Sequence, residues 1–292
     1  MTRPAPFRRK VFYIPGFDPF PPRRYRELYR SEGARQAAWS GYDLALLPAQ
    51  TDPRQPYVWR ARGQIDGGLC EVDFEVLVWS DIVKSTMSGG ILAVYGQLLK
   101  TAWIYTASGA IFALVRLRKG PAIAALYPAI YLAAQAALAL LATWGAARLL
   151  AQVHPAASVL GLMAGYLVLR AGRGLDRRLR ASYLMQDFAY AAQDWGAYPS
   201  DLAARMHRFA ARITDSFDQG YDEVLIVGHS SGAYMAVTIL ADILRASQPC
   251  SAGLPNNAAK PALALLTLGQ VVPMVSFLPK AAQLRRDLHD LS

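Results

Sequence analysis

Residues 223–233, EVLIVGHSSGA, contain the clearest local pattern in this chain. Residues 223–227 are apolar after Glu223 and rich in β-branched side chains, which predicts a buried strand. Residues 231–244 follow with apolar side chains at helical spacing, which predicts a helix. Between the two lies the pattern G-x-S-x-G, centred on Ser230. A strand that runs through a sharp turn directly into a helix is typical of an α/β protein.

Outside residues 86–181 the rest of the sequence alternates between strand and helix patterns. The other predicted strands are residues 11–14, 43–47, 57–62, 72–79 and 263–268. The other predicted helices are residues 22–39, 187–217 with an internal break at 199–201, and 280–291. This alternation predicts an α/β fold with a mostly parallel sheet and helices on both faces.

The turn around Ser230 has chemical consequences. We expect Ser230 to adopt a strained backbone conformation that raises its hydroxyl above the sheet. Gly228 and Gly232 lack a Cβ atom, so the strand and the helix can pack tightly around the turn. The N-terminus of the helix directs N–H groups at the site, and the amide of Ser231 is placed to bind an oxyanion. The alternative is a Gly-Ser loop that only caps a helix.

With this motif the chain resembles the α/β-hydrolase superfamily of serine hydrolases, which includes esterases, lipases, thioesterases and peptidases. The resemblance covers about residues 8–85 and 183–280, or roughly three fifths of the chain. It implies that Ser230 is the nucleophile. It also implies that Gly228, His229 and Gly232 complete the nucleophile elbow.

The resemblance extends to a second turn far upstream, Pro15-Gly16-Phe17, which ends the predicted strand 11–14. It implies that the amides of Phe17 and Ser231 form the oxyanion hole. A plain strand-ending turn is the alternative at Phe17. In this superfamily, large insertions between core strands serve as lids, and residues 86–181 stand in that position. The sequence therefore resembles uncharacterised membrane-anchored bacterial members.

The middle of the chain carries a membrane signal. Residues 121–147 are 27 positions without a charge, and residues 149–169 are 21 more. A helix needs roughly 20 apolar residues to cross about 30 Å of hydrocarbon. We predict a two-span transmembrane hairpin, with spans at about 123–147 and 153–170. Gly161 and Gly165 form a small-xxx-small pair that favours close helix packing. The alternative is a buried helix pair of a soluble protein.

Basic residues on both sides of the hairpin set its expected orientation. Arg116, Arg118 and Lys119 precede the first span, five arginines follow the second within residues 170–180, and only Arg148 lies in the turn. Positive flanks stay in the cytoplasm, so we predict an inner-membrane protein with both termini cytoplasmic. Charges that bracket an apolar hairpin suit anionic lipid headgroups, so membrane lipid is the expected partner and nucleic acid is not.

Residues 86–115 are mostly apolar, with Lys100 in the middle. An interfacial helix, a lid helix and a partial re-entrant segment all agree with this pattern. A third full span is disfavoured, because Lys100 would lie deep in lipid.

The composition narrows the class of protein. Of 292 residues, 53% are hydrophobic and 18% charged, and the formal net charge is +10. An ordinary soluble domain has a smaller hydrophobic fraction and a larger charged fraction. Two cysteines cannot make a disulfide framework or supply a four-ligand zinc site, and four histidines leave little room for a metal cluster. We expect no metal and no cofactor.

The catalytic acid and base stay unassigned. In the superfamily the order is Ser, then Asp or Glu, then His. The only histidine after Ser230 is His289, which Asp287 and Asp290 flank on a charged helix pattern that indicates a solvated face. We expect the natural protein to continue by roughly one hundred residues beyond Ser292 and to supply an acid and a histidine there.

The other polar residues near the expected site have structural explanations. We expect His229 to pack away from the hydroxyl of Ser230, and His207 to be exposed on a polar helix. His154 lies in the membrane turn. Asp18 and Asp81 follow strand ends, where turn capping and contacts with a substrate or lid are the two alternatives.

These observations predict three segments: residues 1–85 and 182–292 as the two parts of a hydrolase core, and residues 86–181 as a lid and transmembrane insertion. The predicted function is a membrane-anchored hydrolase that cleaves a small-molecule or lipid-like ester or thioester through a Ser230 acyl-enzyme. The alternative is a catalytically incomplete hydrolase fold that acts as a scaffold or binding partner. The sequence leaves the oligomeric state open.

Overall fold

The computed structural model describes residues 5–47, 56–65, 67–87, 89–117, 119–247 and 260–292. The chain divides into two compact units. The first, here called the core unit, comprises Met1–Ser85, Tyr198–Val272 and Ala281–Ser292. The second, the insertion unit, comprises Thr86–Ala197 and Pro273–Lys280 and so extends past the 86–181 segment expected for the insertion.

Strands and helices alternate through the core unit, and helices alone make up the insertion unit among the described residues. The strands are β1 (Phe7–Ile14), β2 (Asp43–Leu46), β3 (Val58–Ile65), β4 (Gly68–Val76), β5 (Glu223–His229) and β6 (Ala262–Leu268). The helices are α1 (Arg23–Ser40), α2 (Ser80–Thr86), α3 (Ile91–Ala107), α4 (Ala110–Val115), α5 (Lys119–Ala151), α6 (Gly161–Leu179), α7 (Ala181–Ala192), α8 (Ser200–Thr214), α9 (Gly232–Ser247), α10 (Val272–Ser276) and α11 (Ala282–Asp290). A short 3₁₀ helix, Pro155–Leu160, precedes α6.

The six described strands form one sheet in the order β2-β3-β4-β1-β5-β6. β1 is parallel to both β4 and β5, and β6 is parallel to β5. β3 runs antiparallel to β2 and β4. The α/β class is therefore confirmed, and the sheet is mixed because β3 alone opposes its neighbours. The adjacent parallel strands β1 and β5 place Ile14 opposite Gly228 at their carboxyl ends.

Alternate side chains of β5 face opposite sides of the sheet, as in any strand. On the side of Gly228, α9 lies close, and its residues from Gly232 to Ala241 are all buried. On the other side, an open pocket of about 800 Å³ lies between α1 and the sheet and is lined by Leu225 and Val227 of β5 and Tyr29 of α1. Helices therefore lie on both faces, and residues 224–227 of β5 are apolar on both sides of the strand for that reason.

A buried ion cluster joins β1, β4 and α8. The Glu75 carboxylate on β4 accepts from Lys10 Nζ at 2.8 Å and from Arg212 Nε at 2.8 Å. The side chain of Glu75 is 1% exposed and that of Lys10 is 6% exposed. Because a charge without a partner in such surroundings is costly, the two side chains depend on each other.

The hairpin of the insertion unit consists of α5 and α6. Leu126–Ala151 and Pro155–Asp176 are long and apolar enough to cross a membrane, which agrees with the two predicted spans although each extends further along the chain. Each segment contains an apolar stretch of 18 residues, of which 17% is buried in the first segment and 11% in the second. A core helix of a soluble protein is mostly buried, whereas these two segments are mostly exposed.

Glycines of α6 allow α5 to approach closely. A Cβ atom on Gly161 would lie 2.7 Å from the Thr143 carbonyl oxygen, and one on Gly165 would lie 3.0 Å from the Ala139 carbonyl oxygen. The predicted small-xxx-small pair is therefore in the helix interface. Nearby, Gln135 Nε2 of α5 donates to the Leu169 carbonyl of α6 at 3.2 Å. Polar groups bonded in this way are the contacts expected between helices in lipid.

Candidate functional site

Ser230 occupies the sharp turn between β5 and α9. Its φ of 53° is one of three positive values for non-glycine residues in the described chain. Such a conformation costs of order 1–3 kcal/mol and persists only where the surroundings impose it. Here the Ser230 amide donates to the Leu268 carbonyl of β6 at 2.9 Å, and the Ser230 carbonyl accepts from the Ala233 amide at 3.0 Å. The strained backbone expected from the sequence is present.

The two glycines of the motif are required by close packing. A Cβ atom on Gly228 would lie 2.6 Å from Ala233 Cα and 2.8 Å from Ala236 Cβ, both in α9. A Cβ atom on Gly232 would lie 2.6 Å from the Pro15 carbonyl oxygen and closer still to the Ile14 carbonyl oxygen. These contacts hold β5, α9 and the end of β1 together around the turn.

The upstream turn lies against the elbow. A Cβ atom on Gly16 would lie 3.0 Å from Ser230 Cβ and 3.5 Å from Ser230 Oγ. The register explains this meeting, because β1 and β5 are adjacent parallel strands whose carboxyl ends reach the same edge of the sheet. Residues 14 to 17 and residues 228 to 232 thus form one site, although they are more than 200 positions apart in sequence.

Trp79, which the sequence analysis did not single out, fixes the upstream turn. Its indole Nε1 donates to the Pro15 carbonyl at 2.9 Å in a buried hydrogen bond. Its ring meets the Phe17 ring edge-on, with centroids 6.0 Å apart. The Pro15–Gly16 peptide unit and the Phe17 side chain are thereby held in place. A lone tryptophan at the end of a predicted strand was the only signal for it in the sequence.

Replacing Trp79 with phenylalanine should loosen the upstream turn while the elbow stays intact. The change removes the indole donor but keeps an aromatic ring, so the cost in stability should be about 1–2 kcal/mol for one lost buried hydrogen bond. If the turn supplies an oxyanion donor, the rate of Ser230 acylation should fall more than substrate affinity. Acylation kinetics of the variant at several substrate concentrations measure the rate and the affinity. An unchanged acylation rate would show that Trp79 has only a packing role.

Both aspartates near strand ends are bonded to other groups of the protein. Asp18 accepts from the Phe20 amide at 3.2 Å and from the Tyr25 hydroxyl at 2.9 Å, which is a turn-capping arrangement. Asp81 forms a two-pronged ion pair with Arg205. The hydrogen bonds from Arg205 lower the pKa of Asp81. Both carboxylates are therefore engaged by neighbours.

Tyrosine and histidine rings line the edge beside Ser230. The His229 side chain is exposed and its ring stacks on Tyr13, with centroids 6.4 Å apart. The Tyr13 ring also meets Tyr25. Burial, together with the nearby charge of Asp18, raises the pKa of Tyr13 to about 12. The Tyr13 hydroxyl therefore stays uncharged at physiological pH.

The other histidines lie in different surroundings. His207 is exposed on α8, as expected. His154 Nδ1 accepts from the Ala156 amide at 3.2 Å and caps the 3₁₀ helix. The His289 side chain is 89% exposed, with a carboxylate oxygen of Asp290 at 3.9 Å. Within the described residues, no hydrogen bond joins Ser230 to a histidine.

The prediction that Asp287 lies on a solvated helix face is wrong. Its side chain is fully buried, and Arg245 of α9 contacts it at 2.8 Å. Arg245 also pairs with Asp242 at 2.6 Å and with Asp290 at 2.7 Å. The pattern of charges on α11 could not reveal that an arginine from another helix neutralises them. Arg245 therefore docks α11 on α9.

Comparison of the chain with protein-family models, with curated protein sequences and with solved structures found no match. Among the described residues, no group of three or more His, Cys, Asp or Glu side chains is arranged to hold a metal ion. What can be said about chemistry therefore rests on the geometry around Ser230.

Proposed function

We propose that this chain is a membrane-anchored serine hydrolase of the α/β-hydrolase type, which cleaves an ester or thioester through a Ser230 acyl-enzyme. One observation carries the proposal. Ser230 has a left-handed backbone at a strand-to-helix turn, and the Gly16 turn lies directly against it. A serine held in strain beside two backbone turns is typical of a nucleophile elbow with its oxyanion loop.

The proposed reaction has two steps. Ser230 Oγ attacks the carbonyl carbon of the substrate and loses its proton to a general base, and the alcohol or thiol then leaves with a proton. Water next attacks the acyl-enzyme, releases the carboxylic acid and restores the Ser230 hydroxyl. The amides of Phe17 and Ser231 are the proposed donors to the oxyanion of each tetrahedral intermediate.

A second function is favoured by a different observation. None of the described histidines is hydrogen-bonded to Ser230, and His289 is exposed at 89%. Without a base, a serine hydroxyl is a poor nucleophile at neutral pH. The second candidate is therefore a hydrolase fold without turnover that acts as a membrane scaffold or binding partner.

Hydrolysis of acyl esters and acyl thioesters of graded chain length separates the two candidates. The full-length protein in detergent or vesicles should hydrolyse at least one series, and Ser230→Ala should lower turnover by about 10⁴–10⁶-fold. Ser40→Ala, at the exposed end of α1, is the matched control and should leave turnover unchanged. Hydrolysis that survives in Ser230→Ala would overturn the hydrolase proposal, and no hydrolysis of either series would favour the scaffold.

The proposed substrate class follows from the proposed location. Two exposed apolar helices in the insertion unit would place the protein at a bilayer, where lipid-like acyl groups are concentrated. Basic residues flank the hairpin on both sides, which supports a cytoplasmic location of both termini.

The orientation is tested with a reporter enzyme that is active only outside the cytoplasm. A fusion near Gln152, between the two spans, should be active, and a fusion at Ser292 should be inactive. The reverse pattern would contradict the proposed orientation. Extraction of the protein into buffer without detergent would contradict the spans themselves.

A further inference from the structure

Helix α3 has two apolar faces. One is buried within the insertion unit and includes Val94, Leu98 and Ile104. The other is open, and its Leu92 is 84% exposed and its Trp103 is 67% exposed. A surface helix of a soluble protein normally presents charged or polar residues on its open side.

The open apolar surface continues into the next helix. Leu99 of α3, and Phe112 and Val115 of α4, are also exposed. We call these residues the interfacial face; its members are Leu92, Leu99, Trp103, Phe112 and Val115. Exposed apolar patches of this kind mark contact with a membrane or with another protein.

The charges around the interfacial face have one sign. Lys100 of α3 and Arg116, directly after α4, are exposed beside it. No Asp or Glu occurs between Asp81 and Asp176 in the sequence, so no nearby carboxylate of this segment balances these cations. An anionic surface is the complementary partner.

The length and charge of α3 favour a position at the bilayer surface over a membrane span. α3 has 17 residues and carries Lys100 in its middle, whereas a span needs about 20 apolar residues. Both α3 and α4 contact α5, which belongs to the candidate hairpin. A short apolar segment attached to a membrane hairpin, with an exposed tryptophan and cations at its surface, fits a position at the membrane–water interface.

We propose that the interfacial face of α3 and α4 lies in the boundary between headgroups and acyl chains of an anionic bilayer, with Lys100 and Arg116 paired to lipid phosphates. The proposal rests on the anchoring proposed above for α5 and α6. It adds a second, shallower contact that binds lipid by charge and apolar area. Of the three arrangements open for residues 86–115, it selects the interfacial helix.

The depth of single positions in vesicles tests the proposal. Cys70 and Cys250 are replaced by serine in the full-length protein, and a polarity-sensitive fluorophore is attached to a new cysteine at one position at a time. Trp103→Cys reports on the interfacial face and Leu140→Cys on α5. Trp39→Cys is the matched control, because Trp39 is an exposed tryptophan on the charged helix α1. The vesicles carry bromine either near the headgroups or near the ends of the acyl chains.

We expect the label at position 103 to lose more emission to shallow bromines than to deep ones, with the opposite order at position 140 and no loss at position 39. Loss at 140 without loss at 103 would overturn the interfacial face but leave the hairpin anchored. No loss at either position would overturn both. Equal or greater loss to deep bromines at 103 would contradict a shallow position.

The charge part of the proposal has its own control. Vesicles of phosphatidylglycerol should quench the label at position 103 more strongly than vesicles of phosphatidylcholine. Lys100→Glu with Arg116→Glu should abolish that difference, while emission at position 140 stays the same. A difference that survives the double substitution would contradict pairing of these two cations with lipid phosphates.

Discussion

Replacing Gly232 with alanine is expected to destabilise the core unit by about 3 kcal/mol or more, because overpacking against rigid neighbours forces the backbone to move. The new Cβ would lie 2.6 Å from the Pro15 carbonyl oxygen and closer to that of Ile14. Both are main-chain atoms of the turn that faces Ser230. Unfolding of the detergent-solubilised protein measures the stability, and the upstream turn should also be displaced from Ser230.

Gly63→Ala is the matched control for this change. Gly63 lies in β3 of the same sheet, and its Cβ would stand at an ordinary 3.6 Å from the Asp43 carbonyl oxygen. We expect this variant to stay within about 1 kcal/mol of the parent, the usual range for a glycine-to-alanine change without strain. If Gly232→Ala were as stable as Gly63→Ala, the close packing of the elbow on the end of β1 would be wrong.

Replacing Glu75 with glutamine should cost roughly 3–5 kcal/mol, because it leaves a buried cation without its anion. Lys10, on the neighbouring strand, is 6% exposed and has its ammonium 2.8 Å from Glu75. Arg212 also loses its partner, but it is 40% exposed and can be hydrated. The loss should appear as a lower free energy of unfolding of the core unit.

Two further variants show whether burial is the cause. Glu71→Gln breaks a pair with Arg62, which is 53% exposed, and should cost no more than about 1 kcal/mol. Lys10→Met combined with Glu75→Gln removes the buried cation as well, and should restore part of the stability lost in Glu75→Gln. Two results would contradict a mutual dependence of Lys10 and Glu75. One is that Glu75→Gln loses no more stability than Glu71→Gln, and the other is that the double variant is less stable than Glu75→Gln alone.

The strands and helices of the core unit were predictable because each has a local pattern. The apolar run of β5, the turn residues after it and the helical spacing of α9 lie within 25 consecutive residues, from Glu223 to Ser247. The sequence analysis did not predict the antiparallel course of β3, although the sequence contains a signal for it. Asp66-Gly67 separates β3 from β4, and a two-residue Asp-Gly connection between strands is typical of a β-hairpin.

The residues of the candidate site also differ in whether the sequence predicts them. Ser230 and its glycines could be found from spacing alone, and the Gly16 turn from its place after a strand. Trp79 could not, because its role depends on a hydrogen bond to Pro15, 64 positions away. Asp287 was misjudged for the same reason, since Arg245 reaches it from another helix. Contacts between distant residues leave no periodic trace in a sequence.

The identity of the residue that reacts with an acyl-like electrophile tests the central proposal most directly. The full-length protein is treated with a fluorophosphonate probe, digested, and the labelled peptide is identified by mass spectrometry. We predict a single adduct on Ser230, absent from Ser230→Ala and unchanged in Ser40→Ala. An adduct on another residue, or none on Ser230, would contradict the account of Ser230 as a catalytic nucleophile.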